Sequence, residues 1–244
     1  MSKNILITGA SSDVGIAFLK EENPAWDTAF LQYRTMSPAL EEAADRLKKI
    51  KNVHLMQADF EDAESIKKMI SEIKETGETP NQILHLPAPK AHNLQFRKET
   101  VTAFRQGFEI GVESAVRILQ AFLPGMSKAG YGRVVFMLSS YTQGIPPKNQ
   151  SAYVTNKYAL LGLMKALSAE YAEHGITVNG ISPEMMETKF LSDVPEMIVE
   201  MNASSLPIGR NVRVEEVLPV LNYLLSDEAA AMTGQNIVIS GGKS

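Results

Sequence analysis

The sequence predicts an α/β protein: a doubly wound parallel sheet of about seven strands with helices on both faces, formed by residues 1–244 as one domain. Three observations lead there. Seven short apolar runs recur along the chain, several of them continuously apolar, as expected of strands buried on both faces. Amphipathic stretches separate the runs, which makes crossover connections and parallel pairing the natural arrangement. The first run ends directly in a glycine turn, Thr8-Gly9-Ala10-Ser11-Ser12-Asp13-Val14-Gly15.

The strands are read at Asn4–Thr8, Thr28–Tyr33, Asn52–Gln57, Gln82–Leu86, Gly132–Leu138, Thr177–Ile181 and Asn236–Ser240. Ser37-Pro38 opens the second helix as an N-cap followed by proline at the first helical position, with Glu41 and Glu42 in its first turn. The basic run Lys48–Lys51 closes it, where positive charge suits the helix dipole. Thr100–Lys128 and Ser151–His174 read as two long helices, and Val214–Leu225 as a shorter one. No linker, repeat or low-complexity stretch interrupts the pattern.

Composition narrows the function classes. Net charge is −4, from 24 basic and 28 acidic residues, which leaves no electrostatic footprint for nucleic acid or an anionic membrane. There is no cysteine, so disulfides, thiolate catalysis and cysteine–zinc sites are excluded. His54, His85, His92 and His174 lack metal-ligand spacing, and no metal is expected. No stretch reaches the ~20 apolar residues that span a bilayer. The richest, Tyr158–Leu167, is broken by Lys165, and the opening residues do not read as a signal peptide, so the expected compartment is the cytoplasm.

The glycine turn is the first motif with chemistry. Phosphate groups need bare backbone N–H groups at a helix N-terminus, and glycine lets them approach. Gly9, Ser11, Ser12, Val14 and Gly15 are therefore candidate cofactor-binding residues. Arg34, at the end of the second strand, suits a ribose 2′-phosphate, where an acidic residue would hold the free 2′-hydroxyl. That favours NADP, although NAD remains open because Asp13 would repel a phosphate. Tyr153 and Lys157 stand four apart, one turn apart on one helix face, and Ser140 precedes Tyr153 by thirteen residues on the loop after a strand. An ordinary amphipathic helix would also carry such a pair; its place downstream of the glycine turn favours catalysis.

These motifs together resemble the short-chain dehydrogenase/reductase family over essentially the whole chain. The glycine turn is similar to the family's Thr-Gly-x-x-x-Gly-x-Gly, with Asp13 in place of the middle glycine. Ser140 and Tyr153-Val-Thr-Asn-Lys157 resemble its Ser…Tyr-x-x-x-Lys arrangement. The end of the chain, from Pro207-Ile-Gly-Arg210 to Ser240-Gly-Gly242, closely resembles bacterial 3-oxoacyl-(acyl-carrier-protein) reductases. The resemblance implies a Rossmann-like fold and a dimer or, preferably, a homotetramer. It implies that Asp59 contacts adenine, although by itself Asp59 would equally cap the next helix. It also implies that Thr188 lies near the nicotinamide amide and phosphates. Tyr153 would protonate the substrate oxygen, with its pKa lowered by the Lys157 ammonium. Lys157 would also hold the nicotinamide ribose, and Ser140 would orient the carbonyl.

Three departures fall near that site. Leu86-Pro87-Ala88-Pro89 stands where the family has Asn-Asn-Ala-Gly, Gly111 stands for an asparagine that orients a relay water, and Glu184 replaces a glycine. The expected function is NADPH-dependent reduction of a carbonyl, 3-oxoacyl or a related ketone, to a secondary alcohol. The small-molecule substrate is carried free or carrier-linked, and its identity is set by Tyr141–Gln150 and Met185–Leu206. The alternatives are a degenerate member serving as a cofactor-binding scaffold in a mixed oligomer, and an NAD-dependent alcohol dehydrogenase.

Overall fold

The computed structural model describes residues 2–21, 25–89 and 93–243. His92, one of the four histidines weighed above, lies outside them.

The strands are β1 (Asn4–Thr8), β2 (Thr28–Tyr33), β3 (Asn52–Gln57), β4 (Gln82–His85), β5 (Gly132–Met137), β6 (Ile176–Pro183) and β7 (Asn236–Ile239). They form one seven-stranded sheet in the order β3-β2-β1-β4-β5-β6-β7, every pair parallel. The helices are α1 (Asp13–Leu19), α2 (Pro38–Leu47), α3 (Ala63–Glu75), α4 (Val101–Phe108), α5 (Ser114–Ala129), α6 (Ser151–Tyr171), α7 (Glu196–Ser205) and α8 (Leu218–Leu225).

Strand periodicity sorts the apolar side chains into two cores. Ile5 and Ile7 of β1 join Leu31, Leu84 and Val135 under α1, α2 and α8. Leu6 between them points the other way, into Phe30, Ile83, Val134 and Phe136 under α3, α5 and α6. Each fully buried aliphatic or Phe side chain contributes about 1.5–3 kcal/mol, so both faces are strongly specified. The direction of winding reverses between β1 and β4. The crevice at the carboxyl ends of these two strands is where such sheets bind ligands.

Caps follow the sequence closely. Ser37 Oγ accepts from Leu40 N at 3.2 Å with Pro38 next to it, as expected. The cap of α3 is Asp62, whose Oδ1 accepts from Glu64 N at 2.9 Å, which leaves Asp59 free of that role.

Three helices differ from expectation. Thr100–Lys128 is not one uniform helix: α4 and α5 are joined by a π turn, Glu109–Glu113, with Gly111 at its centre. Side chains capture two carbonyls there, Ser114 Oγ donating to Ile110 O at 2.6 Å and His85 Nε2 to Gly111 O at 2.8 Å. Val214–Leu225 begins as a single 3₁₀ turn, and α8 starts only at Leu218 because Pro219, lacking an N–H, is tolerated in a first turn. Ser151–His174 tightens to a 3₁₀ turn after Tyr171.

Among the described residues no helix is long and apolar enough to cross a membrane.

Candidate active site

A cavity of about 540 Å³ opens at the β1–β4 reversal. The glycine turn contributes Gly9, Ser11, Ser12 and Val14 to its wall. Gly9 has φ +69°, a left-handed conformation that glycine adopts without strain. Gly15 is not on the wall, and its part is steric: a Cβ there would lie 2.6 Å from Ala10 O, so only glycine lets α1 start this close to the turn. Ser12 caps α1, its Oγ accepting from Gly15 N at 3.1 Å.

Sequence reasoning missed Gln32. This buried side chain of β2 accepts from Gly9 N at 2.7 Å and donates to Ala58 O at 2.8 Å, pinning the glycine turn to the ends of β2 and β3. The available signal was a long polar side chain inside an apolar strand.

Arg34 and Asp59 close the cavity at the far end. Arg34 is largely exposed and pairs with Glu61, Nη1 to Oε1 at 3.4 Å; Glu61 also accepts from Gln106 Nε2 at 3.0 Å. Asp59 Oδ1 accepts from Glu61 N at 3.0 Å. Asp13 reaches across the cleft, its Oδ2 accepting from Lys189 N at 2.7 Å, so its carboxylate is engaged by the loop carrying Thr188. Thr188 is on the wall, as are all four residues from Leu86 to Pro89.

Tyr153 and Lys157 occupy the other end, both on α6 and both on the wall. The Lys157 ammonium lies 5.7 Å from the Tyr153 ring centroid and donates to Met137 O at 2.6 Å. Its burial lowers its pKa to about 8. The expected lowering of the tyrosine is reversed: burial among Tyr141 and Phe190 pushes the phenol up to about 12, and Glu184 adds to the rise. Lys157, with its own pKa near 8, is neutral before the phenol titrates, so its charge does not offset the desolvation.

The sequence reading assigns the orienting hydroxyl to Ser140. Its neighbour Ser139 is the serine on the wall beside the phenol, where its hydroxyl favours the ionised form of Tyr153. Ser139 caps a 3₁₀ turn over Ser140–Thr142, which turns Ser140 inward. The Ser140 Oγ is buried without a partner among the described residues. A spacing of thirteen across an irregular loop does not distinguish adjacent serines.

The donor set fits a dinucleotide: a glycine turn at a helix N-terminus in the middle, a guanidinium at one end and an ammonium at the other. With a Tyr–Lys pair opening into the same crevice, fold and site define a nucleotide-dependent oxidoreductase. Residues 9–244 match the family model described as "Enoyl-(Acyl carrier protein) reductase", and the chain belongs to the short-chain dehydrogenase/reductase family of NAD(P)-dependent enzymes. It is 29% identical over 250 residues to the oxidoreductase UcpA of Salmonella typhimurium, covering 98% of this chain and 94% of that one. It is 28% identical over 242 residues to the 3-oxoacyl-[acyl-carrier-protein] reductase FabG of Pseudomonas aeruginosa, covering 98% and 96%. A short-chain type dehydrogenase/reductase from Mycobacterium marinum superposes with TM-score 0.85 at 26% identity, covering 98% and 94%.

Proposed function

We propose that this protein is an NADPH-preferring reductase that converts a ketone with an apolar body, a 3-oxoacyl thioester being the first candidate, to a secondary alcohol. The observation that carries the reading is the single cavity onto which Arg34, the glycine turn and the Tyr153–Lys157 pair all open. Arg34 would take the 2′-phosphate, exchanging its contact with Glu61 for a doubly charged partner. Asp59 would meet the adenine. Thr188 would lie against the nicotinamide, and Lys157 would hold its ribose once turned from Met137. Exposed Ile145, Met197 and Met201 on the bordering segments support an apolar, carrier-linked substrate.

When bound, the reduced nicotinamide supplies the hydride. Tyr153 delivers the proton to the carbonyl oxygen, and its raised pKa keeps it in the acid form that reduction requires. Lys157 stabilises the phenolate left behind. Ser139 donates to the oxygen as negative charge builds; what supports it over Ser140 is its place on the cavity wall. Apolar Val101, Phe108 and Tyr158, exposed on α4 and α6, support association with a second copy, as a dimer or tetramer. Light scattering at micromolar concentration tests that, and a monomer refutes it.

The reading is tested by following NADPH consumption with 3-oxoacyl thioesters, ketones and aldehydes. Turnover with at least one class is expected. Tight NADPH binding with no turnover across the panel would favour the scaffold reading, which the loss of the asparagine at Gly111 supports. Equal affinity for NADPH and NADH would favour the NAD-dependent dehydrogenase.

A further inference from the structure

Glu184 is a charged side chain in an unusual place. It follows the last residue of β6, and its N–H donates to Ile239 O at 2.9 Å, so its backbone is held by the sheet rather than by a loose loop. It is 3% exposed and lines the cavity together with Tyr141, Tyr153, Met185 and Phe190. A buried carboxylate among such neighbours is costly unless it is paired. Its ion-pair partner is Lys243, Nζ to Oε1 at 3.3 Å. The two sides of this pair are unequal, with the Glu184 side chain 2% exposed and that of Lys243 41% exposed.

The lysine belongs to the end of the chain, where Gly241 and Gly242 lie against Ile208 and Pro207, just beyond α7. An ammonium held partly in solvent is screened and neutralises a buried carboxylate only in part. The remaining negative field falls on the cavity: burial raises the pKa of Tyr141 and Tyr153, and Glu184 adds to the rise of both. The other charges on the wall do not cancel it. Lys157 is turned toward Met137 O and would serve the cofactor ribose, Lys148 and Lys189 are exposed side chains, and Arg34, Asp59 and Asp13 belong to the glycine-turn side of the cavity.

We propose that Glu184 is a specificity-determining residue whose carboxylate selects carbonyl substrates bearing a hydrogen-bond donor beside the reacting carbon, an ammonium group above all, and rejects those bearing a carboxylate there. The proposal rests on the reductase reading above and narrows it. The apolar part of the cavity takes the body of the substrate, and Glu184 reads the substituent next to the carbonyl. Lys243, on the solvent side, moderates the charge.

The test uses four aryl ketones of matched shape: propiophenone, ω-hydroxyacetophenone, ω-aminoacetophenone and phenylglyoxylate. kcat/KM is measured with NADPH for the wild type and Glu184→Gln, each value normalised to propiophenone so that any general effect of the substitution cancels, and intrinsic reactivity cancels when the two proteins are compared. The amide should lower the relative value for the ammonium ketone by about tenfold and raise that for the carboxylate by a similar factor, the size expected of one partly screened charge at contact. Lys243→Met should shift both ratios the opposite way, by unmasking the carboxylate. If the pair serves only to hold the tail, both variants lower the melting temperature and leave the ratios unchanged, which overturns the proposal. If the wild type turns over no ketone at all while binding NADPH, it is the reductase reading that has failed. The preference is then read by calorimetry as binding of ω-aminoacetophenone against phenylglyoxylate to the NADP⁺ complex. Loss of a wild-type preference in Glu184→Gln supports the role of Glu184, and equal binding in both proteins overturns it.

Discussion

His85 Nε2 donates to the backbone carbonyl of Gly111 at 2.8 Å, and its Nδ1 lies 2.9 Å from Thr8 Oγ1. A carbonyl only accepts, so the ring is held as the Nε2–H tautomer and Thr8 donates to the other nitrogen. One buried side chain thus ties the end of β1, from which the glycine turn departs, to the π turn where the family has its asparagine.

Burial depresses the pKa of His85 to about 4, with Lys157 adding to the effect. Because the folded value lies below the unfolded one, this neutral ring contributes stability that is complete above about pH 6.5 and is lost as pH falls toward 4, where only the unfolded chain takes the proton. The loss is on the order of 3 kcal/mol. Urea unfolding measured between pH 7 and 4 should show a shallower decline in His85→Gln than in the wild type. Parallel curves would mean that His85 titrates alike in both states.

Tyr153→Phe removes the acid and should cut turnover by about 10² to 10⁴ with little change in NADPH affinity. Lys157→Ala should harm both. Steady-state rates and calorimetry separate the two effects, and reduction that persists unchanged in Tyr153→Phe rules the mechanism out.

The adjacent serines give a sharper comparison. Ser139→Ala should lower kcat by about 10²-fold, the scale of one lost oxyanion donor. Ser140→Ala should leave kcat within about twofold and hold or raise the melting temperature, since it deletes a buried hydroxyl that has no partner among the described residues. The reverse pattern would restore Ser140 to the role read from spacing.

Reduction should also carry an alkaline limit set by Lys157. Its pKa of about 8 lies well below that of Tyr153, so the ammonium is lost first as pH rises. kcat should fall above about pH 8, while the phenol is still protonated. A profile flat to pH 10 would show that the lysine charge is not needed.

Arg34→Asp should reverse or flatten the preference for NADPH over NADH. Glu61→Gln should strengthen it several-fold, because the guanidinium then no longer exchanges one anion for another. Titration calorimetry with both cofactors reads each change, and indifference to both substitutions would place the 2′-phosphate elsewhere.

Much of this protein was legible in its residue order because the relevant physics is local or periodic. Continuous apolar runs marked the seven strands to within a residue or two at most ends. Ser37-Pro38 announced a helix start, the glycine turn announced itself by its place after β1, and a four-residue interval was enough to put Tyr153 and Lys157 on one face of α6. What the tertiary structure decided involves groups far apart in the chain or turns with no period. The 3₁₀ turn that places Ser139 rather than Ser140 on the cavity wall is irregular, so counting back from Tyr153 could not choose between them. His85 meets Gly111 only because β4 passes beneath the π turn. Arg34 finds Glu61, and Asp13 finds Lys189, across loops whose course no local pattern specifies. The raised phenol of Tyr153 comes from burial of the ring and from the Glu184 carboxylate near it. Charge and spacing were written in the sequence, but desolvation depends on what surrounds a group, and only the folded chain supplies those surroundings.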